Sequence, residues 1–553
     1  MNPDLFLNCF SRFINAPDAI RRIRHFILDL AVRGKVVEQS PESEKVGDSY
    51  SNEPVSDQLP TNWRLLNFGK YCDIQGGNQP PKSVFVDAPQ PGYVRLFQIR
   101  DLGDNPVPTY IPATSTNRFC RRGEILIGRY GASVGKVFWA EDGAYNVALA
   151  KFIYPKCAFL PEFAFLALKS DFFQETLAGA TRSAQAGFNK RDLSGINLPL
   201  PPVNEQRRII AGVHELMAQC DALESALTER ESKREKLAVT SFHRLSNVVH
   251  PLTVREHAHF CLSHLLQLTA SPRCIQPLRE AIFGLAVRGL LLPQTPTDEP
   301  ATELLKRIRS EKTRFLRETK KKSKLLPPID GREKPFSLPE NWSWVRFGEI
   351  IIDADSGWSP KSEVFPRVGD NWGVLKVSAV SWNNFLPDEN KQLLPEVSPP
   401  EAARVHMGDF LISRANTSEL VAKSVIVEQP SKNLILSDKI VRLRISENCI
   451  KKFVRMVNNH AVYARAYYAE EASGTSFSMK NVSREVIYRL VVPLPPLAEQ
   501  ERIVAKVEEL MTLCDRLETR LAAAQSEASS LLDAAINHTL RPFQSDMLGR
   551  KAV

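Results

Sequence analysis

The chain repeats itself, and that duplication constrains its fold more than any single motif does. Three blocks recur in the same order. Leu30-Ala31-Val32-Arg33-Gly34 returns as Leu285-Ala286-Val287-Arg288-Gly289, 255 positions on, each time with a glycine suited to cap an apolar helix. Leu59-Pro60-Thr61-Asn62-Trp63, running on to Phe68-Gly69, returns as Leu338-Pro339-Glu340-Asn341-Trp342 and Phe347-Gly348, at an offset of 279. Pro199-Leu200-Pro201-Pro202 with Glu205-Gln206 returns as Pro493-Leu494-Pro495-Pro496 with Glu499-Gln500, at an offset of 294.

A helix follows the third block in both copies. Ile209, Val213, Leu216, Cys220, Leu223 and Leu227 step by four and three, and Ile503, Val507, Leu510, Cys514, Leu517 and Leu521 repeat the pattern. That is the seam of a coiled coil. Each helix is predicted to run about 40 residues, to near Leu245 and Leu540, or roughly 60 Å. One such seam is ordinary packing; two matched seams in one chain predict an antiparallel, pseudo-twofold pair.

Between the second and third blocks lie 59–202 and 338–496, each long enough for its own core. They share Gly123-Glu124-Ile125-Leu126-Ile127 with Arg129 against Gly408-Asp409-Phe410-Leu411-Ile412 with Arg414, and Phe188 with Lys190 against Phe477 with Lys480. Elsewhere they diverge. Apolar runs at Tyr93 to Ile99 and Val374 to Val380 predict strands. The fold class is therefore α+β: two globular α+β domains separated by two long antiparallel coiled-coil helices. The divisions are an N-terminal helical segment 1–58, a first domain 59–202, a central region 203–300 with a long helix and short helices, a basic linker 301–337, a second domain 338–496 and a C-terminal helix 497–553.

Composition excludes several classes. Hydrophobic residues make up 43% and charged residues 24% of 553, ordinary globular values. No apolar run approaches the roughly 20 residues of a membrane helix. Asp4, Asn8, Arg12 and Asp18 interrupt any signal-like apolar stretch, which predicts a cytoplasmic protein. Nine cysteines include no CxxC pair, which argues against structural zinc or a disulfide framework. The net charge of +9 is concentrated in 301–334, where 12 Lys or Arg face 5 Asp or Glu. A run such as Lys320, Lys321, Lys322 and Lys324 suits a solvated linker and also suits phosphates.

Catalytic motifs are missing. Gly128 to Lys136 resembles a phosphate-binding loop but has Tyr130 where glycine is needed and Val137 where Ser or Thr is needed. Pro387-Asp388-Glu389-Asn390-Lys391 packs its acids into one turn, and Glu141-Asp142 and Glu470-Glu471 are adjacent and diverge, so none makes an acid/base pair. The histidines form no cluster at ligand spacing. What remains is recognition. The first domain holds 16 basic and 11 acidic residues and the second 19 and 18, so binding there has to be selective. The loops Gln75 to Ser83 and Ser356 to Ser362 carry the Gln, Asn, Lys and Ser that reach base edges, and they read equally as solvent loops.

These blocks, with Asp298-Glu299-Pro300-Ala301-Thr302-Glu303-Leu304-Leu305, resemble the specificity subunit of type I restriction-modification enzymes over nearly the whole chain. The resemblance implies two target-recognition domains that each read half of a split double-stranded DNA sequence, with the helices setting the gap. The divergence of the domains then implies an asymmetric target. It further implies two modification subunits carrying S-adenosylmethionine for adenine methylation and two restriction subunits using ATP and magnesium to translocate and cleave DNA. This chain would hold no cofactor or metal and catalyse neither step.

Candidate DNA contacts are Gln79, Lys82, Arg100, Arg129, Asn189 and Lys190 in the first domain. In the second they are Lys361, Lys376, Trp382, Arg414, Lys480 and Asn481. Residues common to both domains suit phosphates, base readers should lie among the differences, and Arg129 and Arg414 also suit scaffold ion pairs. Glu205, Gln206, Arg208, Glu499, Gln500 and Arg502 are candidates for docking the modification subunits, or simply mark helix starts, where Glu suits the dipole. Two other readings stand beside this one. One is a non-catalytic protein-binding scaffold, whose binding would lack the steep salt dependence of DNA contacts. The other is a self-contained nuclease or methylase, which the missing motifs disfavour.

Overall fold

Both repeated helices form, and they are long. The computed structural model describes residues 9–39, 59–102, 106–180, 187–247, 251–321, 325–381, 384–429, 432–474 and 479–540. Five helices frame the argument: α1 (Ala19–Val32), α2 (Val203–Asn247), α3 (Ile275–Val287), α4 (Ala301–Thr319) and α5 (Leu497–Leu540). The chain divides into one unit of Met1–Arg230 with Ala523–Val553 and a second of Glu231–Ala522, so α2 and α5 each contribute to both.

In the first unit, the seam residues Ile209, Val213 and Cys220 of α2 are buried with Ile20, Ile23 and Ile27 of α1 and with Leu532 and Ala535 near the end of α5. The start of one long helix thus packs with the end of the other, an antiparallel arrangement. Arg24 of α1 reaches Asp221 at 2.5 Å and Glu224 at 2.7 Å. In the second unit α3 takes the place of α1. Ile275 and Ile282 share a core with Ile503, Val507 and Cys514 of α5, while Ala281 packs with Ala238, Phe242 and Leu245 of α2. Arg279 reaches Asp515 at 2.7 Å and Glu518 at 2.9 Å, repeating the clamp of the first unit.

The motif blocks acquire a structural meaning here. Arg64–Asn67 pairs antiparallel with Asn197–Leu200, and Ser343–Arg346 with Val491–Leu494. Each α+β domain therefore leaves and rejoins the helical frame through one two-stranded ribbon, and its interior can vary without moving the frame. Gly34 and Gly289 have φ of +69° and +70°, and a Cβ on either would sit 2.7 Å from Pro60 or Pro339. Only glycine meets both demands, so the cap and the close approach are one requirement.

Inside the first domain, β1 (Asp73–Gly76), β2 (Ile125–Gly128), β3 (Val137–Trp139) and β4 (Leu149–Ile153) form a sheet in the order β1-β4-β2-β3. Inside the second, β5 (Ile351–Ser356), β6 (Phe410–Ser413), β7 (Ser424–Ile426) and β8 (Ile440–Ile445) form one in the order β5-β8-β6-β7. The topology is the same in both. Beside it lie unlike smaller sheets, of four strands in the first domain and three in the second. Tyr93–Phe97 is a strand as anticipated, whereas the 374–380 run splits into the strand Gly373–Leu375 and a 3-10 turn, Val377–Val380.

The basic segment is not the linker its charge suggests. Residues 301–319 are α4, with Ala301, Leu304 and Ile308 fully buried in the second unit's core. Its charges are anchored as well: Arg309 pairs with Glu349 at 2.7 Å, and Glu311 accepts from Asn448 Nδ2 at 3.0 Å. Lys321 pairs with Asp353, while Lys322 and Lys324 lie outside the described residues. The apolar spacing of three and four outweighs the charge count because the cations occupy the other face.

Candidate nucleic-acid interface

Antiparallel pairing gathers chain segments from across each domain at one end of its main sheet. In the first domain Gly76 lies opposite Ala150 and Gly128 opposite Leu149, so β1 and β2 end where β4 begins. The Gln75-to-Ser83 loop leaves from this end, held by Gly77 N donating to Leu149 O at 3.0 Å. Gln79 and Lys82 on that loop are exposed. Arg129 follows β2 directly: its Nε donates to Phe188 O at 2.9 Å, and its guanidinium carbon lies 5.1 Å from the centre of the Tyr130 ring. Arg100 occupies a 3-10 turn, Ile99–Leu102, whose Ile99 lies beside Gly128, and its Nη2 donates to Thr109 Oγ1 at 2.9 Å. Asn189 caps the short helix Lys190–Leu193, and Lys190 reaches Asp73 on the edge strand at 3.3 Å. Among the described residues Arg129 has no carboxylate partner and is aimed by a backbone carbonyl, which leaves its guanidinium at the sheet end.

The second domain builds the same end from different residues. Ser356 lies opposite Val441 and Ser413 opposite Ile440, and Gly357 N donates to Ile440 O at 3.2 Å, as Gly77 does in the first domain. The two candidate loops therefore occupy equivalent places. Lys361 is exposed on its loop, and Arg414 is half-buried just past β6. Lys376 is committed to Glu389 at 3.6 Å, and Ser378 also donates to that carboxylate. The Ser378 hydrogen bond, with Lys376 beside it, holds the Glu389 carboxyl below its ordinary range. Lys480 donates to Gly474 O at 2.7 Å, and Asn481 pairs with Ala415. Trp382 lies outside the described residues.

One correspondence changes with the structure. Tyr130 bridges Gly187, and Ala415 pairs with Asn481, so Gly187 answers Asn481 and Lys190 answers Arg484, not Lys480. Arg484 opens the helix Arg484–Arg489 behind the capping Ser483, and its guanidinium donates to Ser356 Oγ at the sheet end. Sequence comparison missed Arg484 because the residues between Arg414 and this helix differ in number; a capping residue followed by a cation was the available signal. The exposed rings of Tyr130 and Trp358, 42% and 40% accessible, were also missed. Both are aromatic residues beside glycine in loops already singled out.

The docking residues require a correction. Glu205, Gln206, Glu499 and Gln500 are at most 1% exposed and cannot form an outer surface. Glu205 accepts from Trp63 Nε1 at 2.9 Å and from Asn62 Nδ2 at 3.0 Å. Gln206 accepts from Leu160 N at 2.8 Å and donates to Ala158 O at 2.7 Å. Glu499 and Gln500 repeat this with Trp342 at 2.8 Å and with Ile450 N at 2.9 Å. Burial raises the Glu499 carboxyl above its ordinary range, against the hydrogen bonds from Trp342 and Gln294. The Glu-Gln pair therefore bolts the first turn of each long helix to its domain. Arg208 remains at the surface, donating to Glu38 O at 3.1 Å, and Arg502 pairs with Asp298.

Known proteins resemble this chain over nearly its whole length. The family model described as the type I restriction modification DNA specificity domain matches residues 60–230. The EcoEI specificity subunit of a type I restriction enzyme from Escherichia coli is 30% identical over 564 residues, covering 94% of each chain. This chain belongs to the specificity subunits of type I restriction enzymes. The EcoAI specificity subunit, also from Escherichia coli, is 27% identical to it, again over 94% of each chain. Among solved structures, an HsdS subunit from Thermoanaerobacter tengcongensis is 18% identical, with a TM-score of 0.39 over 87% of this chain and 97% of that one. As a specificity subunit the chain recognises DNA and is not itself the catalyst. Among the described residues, no helix is long and apolar enough to cross a membrane.

Proposed function

We propose that each domain of this specificity subunit reads one half of a split double-stranded DNA target with the loops at its sheet end, and that the two unlike loop sets make the target asymmetric. One observation carries this reading: the same strand order in both domains ends in loops of different sequence. A constant scaffold with variable tips separates positioning from sequence reading, the division that protein–DNA interfaces require. Arg129 and Arg414, like Lys82 and Lys361 in the shared Pro-Lys-Ser, hold equivalent places and suit the backbone; Gln79, Arg100 and their neighbours differ and suit base edges.

The partners we assign are two modification subunits, which carry S-adenosylmethionine and methylate adenine, and two restriction subunits, which use ATP and magnesium to translocate and cleave. The cofactors reside on those subunits, and the assembly works in the cytoplasm. The exposed faces of α2 and α5, with Arg208 and Arg502, are the docking surface for the modification subunits. The test is to co-express this chain with its modification subunit in a methylation-free host and to map N6-methyladenine by single-molecule sequencing. A gapped two-part motif supports the reading. A continuous motif, or no methylation by a soluble complex, overturns it.

A further inference from the structure

Tyr130, at the first domain's sheet end, is held by its neighbours and yet left open. Its backbone is extended, with φ −131° and ψ 152°, and bridges Gly187. The ring lies against that glycine: a Cβ there would come within 2.5 Å of Cδ1 and 2.6 Å of Cε1. The Arg129 guanidinium stands 5.1 Å from the ring centre, itself fixed by Phe188 O. The next residue, Gly131, has φ +66°, and beyond its chain neighbours no described atom lies within 4 Å of where its Cβ would be. The result is a seated ring that is still 42% exposed.

At the equivalent position the second domain has no aromatic ring. Ala415 holds the equivalent position and is 2% exposed, and the following Asn416 donates to Ser381 at 2.7 Å, closing the space. Tyr130 is therefore not part of the shared scaffold. It stands among the differences, where sequence reading belongs.

We propose that Tyr130 is a specificity-determining residue that packs its ring on the 5-methyl group of a thymine in the half-site read by the first domain. The inference rests on the DNA-recognition reading above. In the major groove the base edges offer hydrogen-bonding groups and one apolar group, the thymine methyl. A fixed, exposed ring that projects apolar surface finds its match there. Arg129 sets the ring's orientation and supplies a cation for the neighbouring phosphate.

The test uses the complex of this chain with its modification subunit and labelled duplexes carrying the mapped target, in which each thymine is replaced in turn by deoxyuridine. One thymine of one half-site is expected to show a preference over uracil of roughly fourfold, the value of one buried methyl. Tyr130→Ala abolishes that preference and weakens binding to the matched half-site by about fivefold to tenfold, whereas Tyr130→Phe keeps both. Loss of equal size on all duplexes, unchanged binding, or no thymine preference in the unsubstituted complex overturns the proposal. Failure of that complex to distinguish its mapped target from scrambled DNA sinks the DNA-recognition reading as well; discrimination that Tyr130→Ala leaves intact sinks only the role of Tyr130.

Discussion

Trp63 donates its indole N–H to Glu205 across 2.9 Å, and both side chains are fully buried. The bond joins the residue just before the strand that opens the first recognition domain to the helix that follows its close, residues 142 positions apart. Trp342 and Glu499 repeat it. Glu205→Ala strands a buried donor and is expected to cost about 1–3 kcal/mol, whereas Glu205→Gln, which keeps an acceptor, costs less. Chemical unfolding of the two variants checks this, and the Glu499 variants should behave alike.

Asp29 gives the first unit a pH dependence. Burial, with Asp171 adding repulsion, pushes its carboxyl up to about 7, while Arg33 and the amide of Asp171, which donates to it at 2.8 Å, pull the other way. The folded state thus keeps a proton that the unfolded chain releases at ordinary carboxylate pH. Stability from this group is lost as pH rises from about 4 to about 7. Asp29→Asn should raise the melting temperature at pH 8 and have little effect near pH 4; an equal effect at both would contradict the assignment.

His460 gives the second unit the opposite dependence. Its ring stacks on Phe283 of α3 at 3.8 Å, and burial, with Lys423, Arg455 and Arg465 nearby, pushes it down to about 3. The unfolded chain binds a proton below about 6.5 that the folded state refuses, so stability falls as pH drops below that value. His460→Phe keeps the stack and should remove the dependence. Hydrogen exchange between pH 5 and pH 7 reads the two units separately, with peptides of the second protected better at the higher pH.

Lys190 and Arg484 are expected to contact phosphate. Replacing either with alanine should weaken binding about equally on matched and altered half-sites and lower the slope of log affinity against log salt by about one. A change in sequence preference would instead mark the residue as a base reader.

The α4 helix should matter to stability, not merely to connection. Leu304 is completely buried against the second unit's core. Leu304→Ala is expected to cost about 2–5 kcal/mol in chemical unfolding, where a solvated linker would register no change.

Local pattern determined much of this protein. The two seams specified the long helices because a 3.6-residue turn brings every third or fourth side chain to one face, a property of consecutive residues alone. The ordered repeats likewise exposed two equivalent domains and their divergence. Tertiary structure decided what each motif is for. Glu205-Gln206 reads locally as a helix start, but its partners, Trp63 and Leu160, come from distant positions, and their packing turns a surface candidate into a buried bolt. The equivalence of Lys190 with Arg484 rests on strand register, which loops of unequal length hide from the sequence. The exposure of Tyr130 and the burial of Ala415 depend on which segments return to the sheet end, because antiparallel pairing joins residues that no local spacing connects.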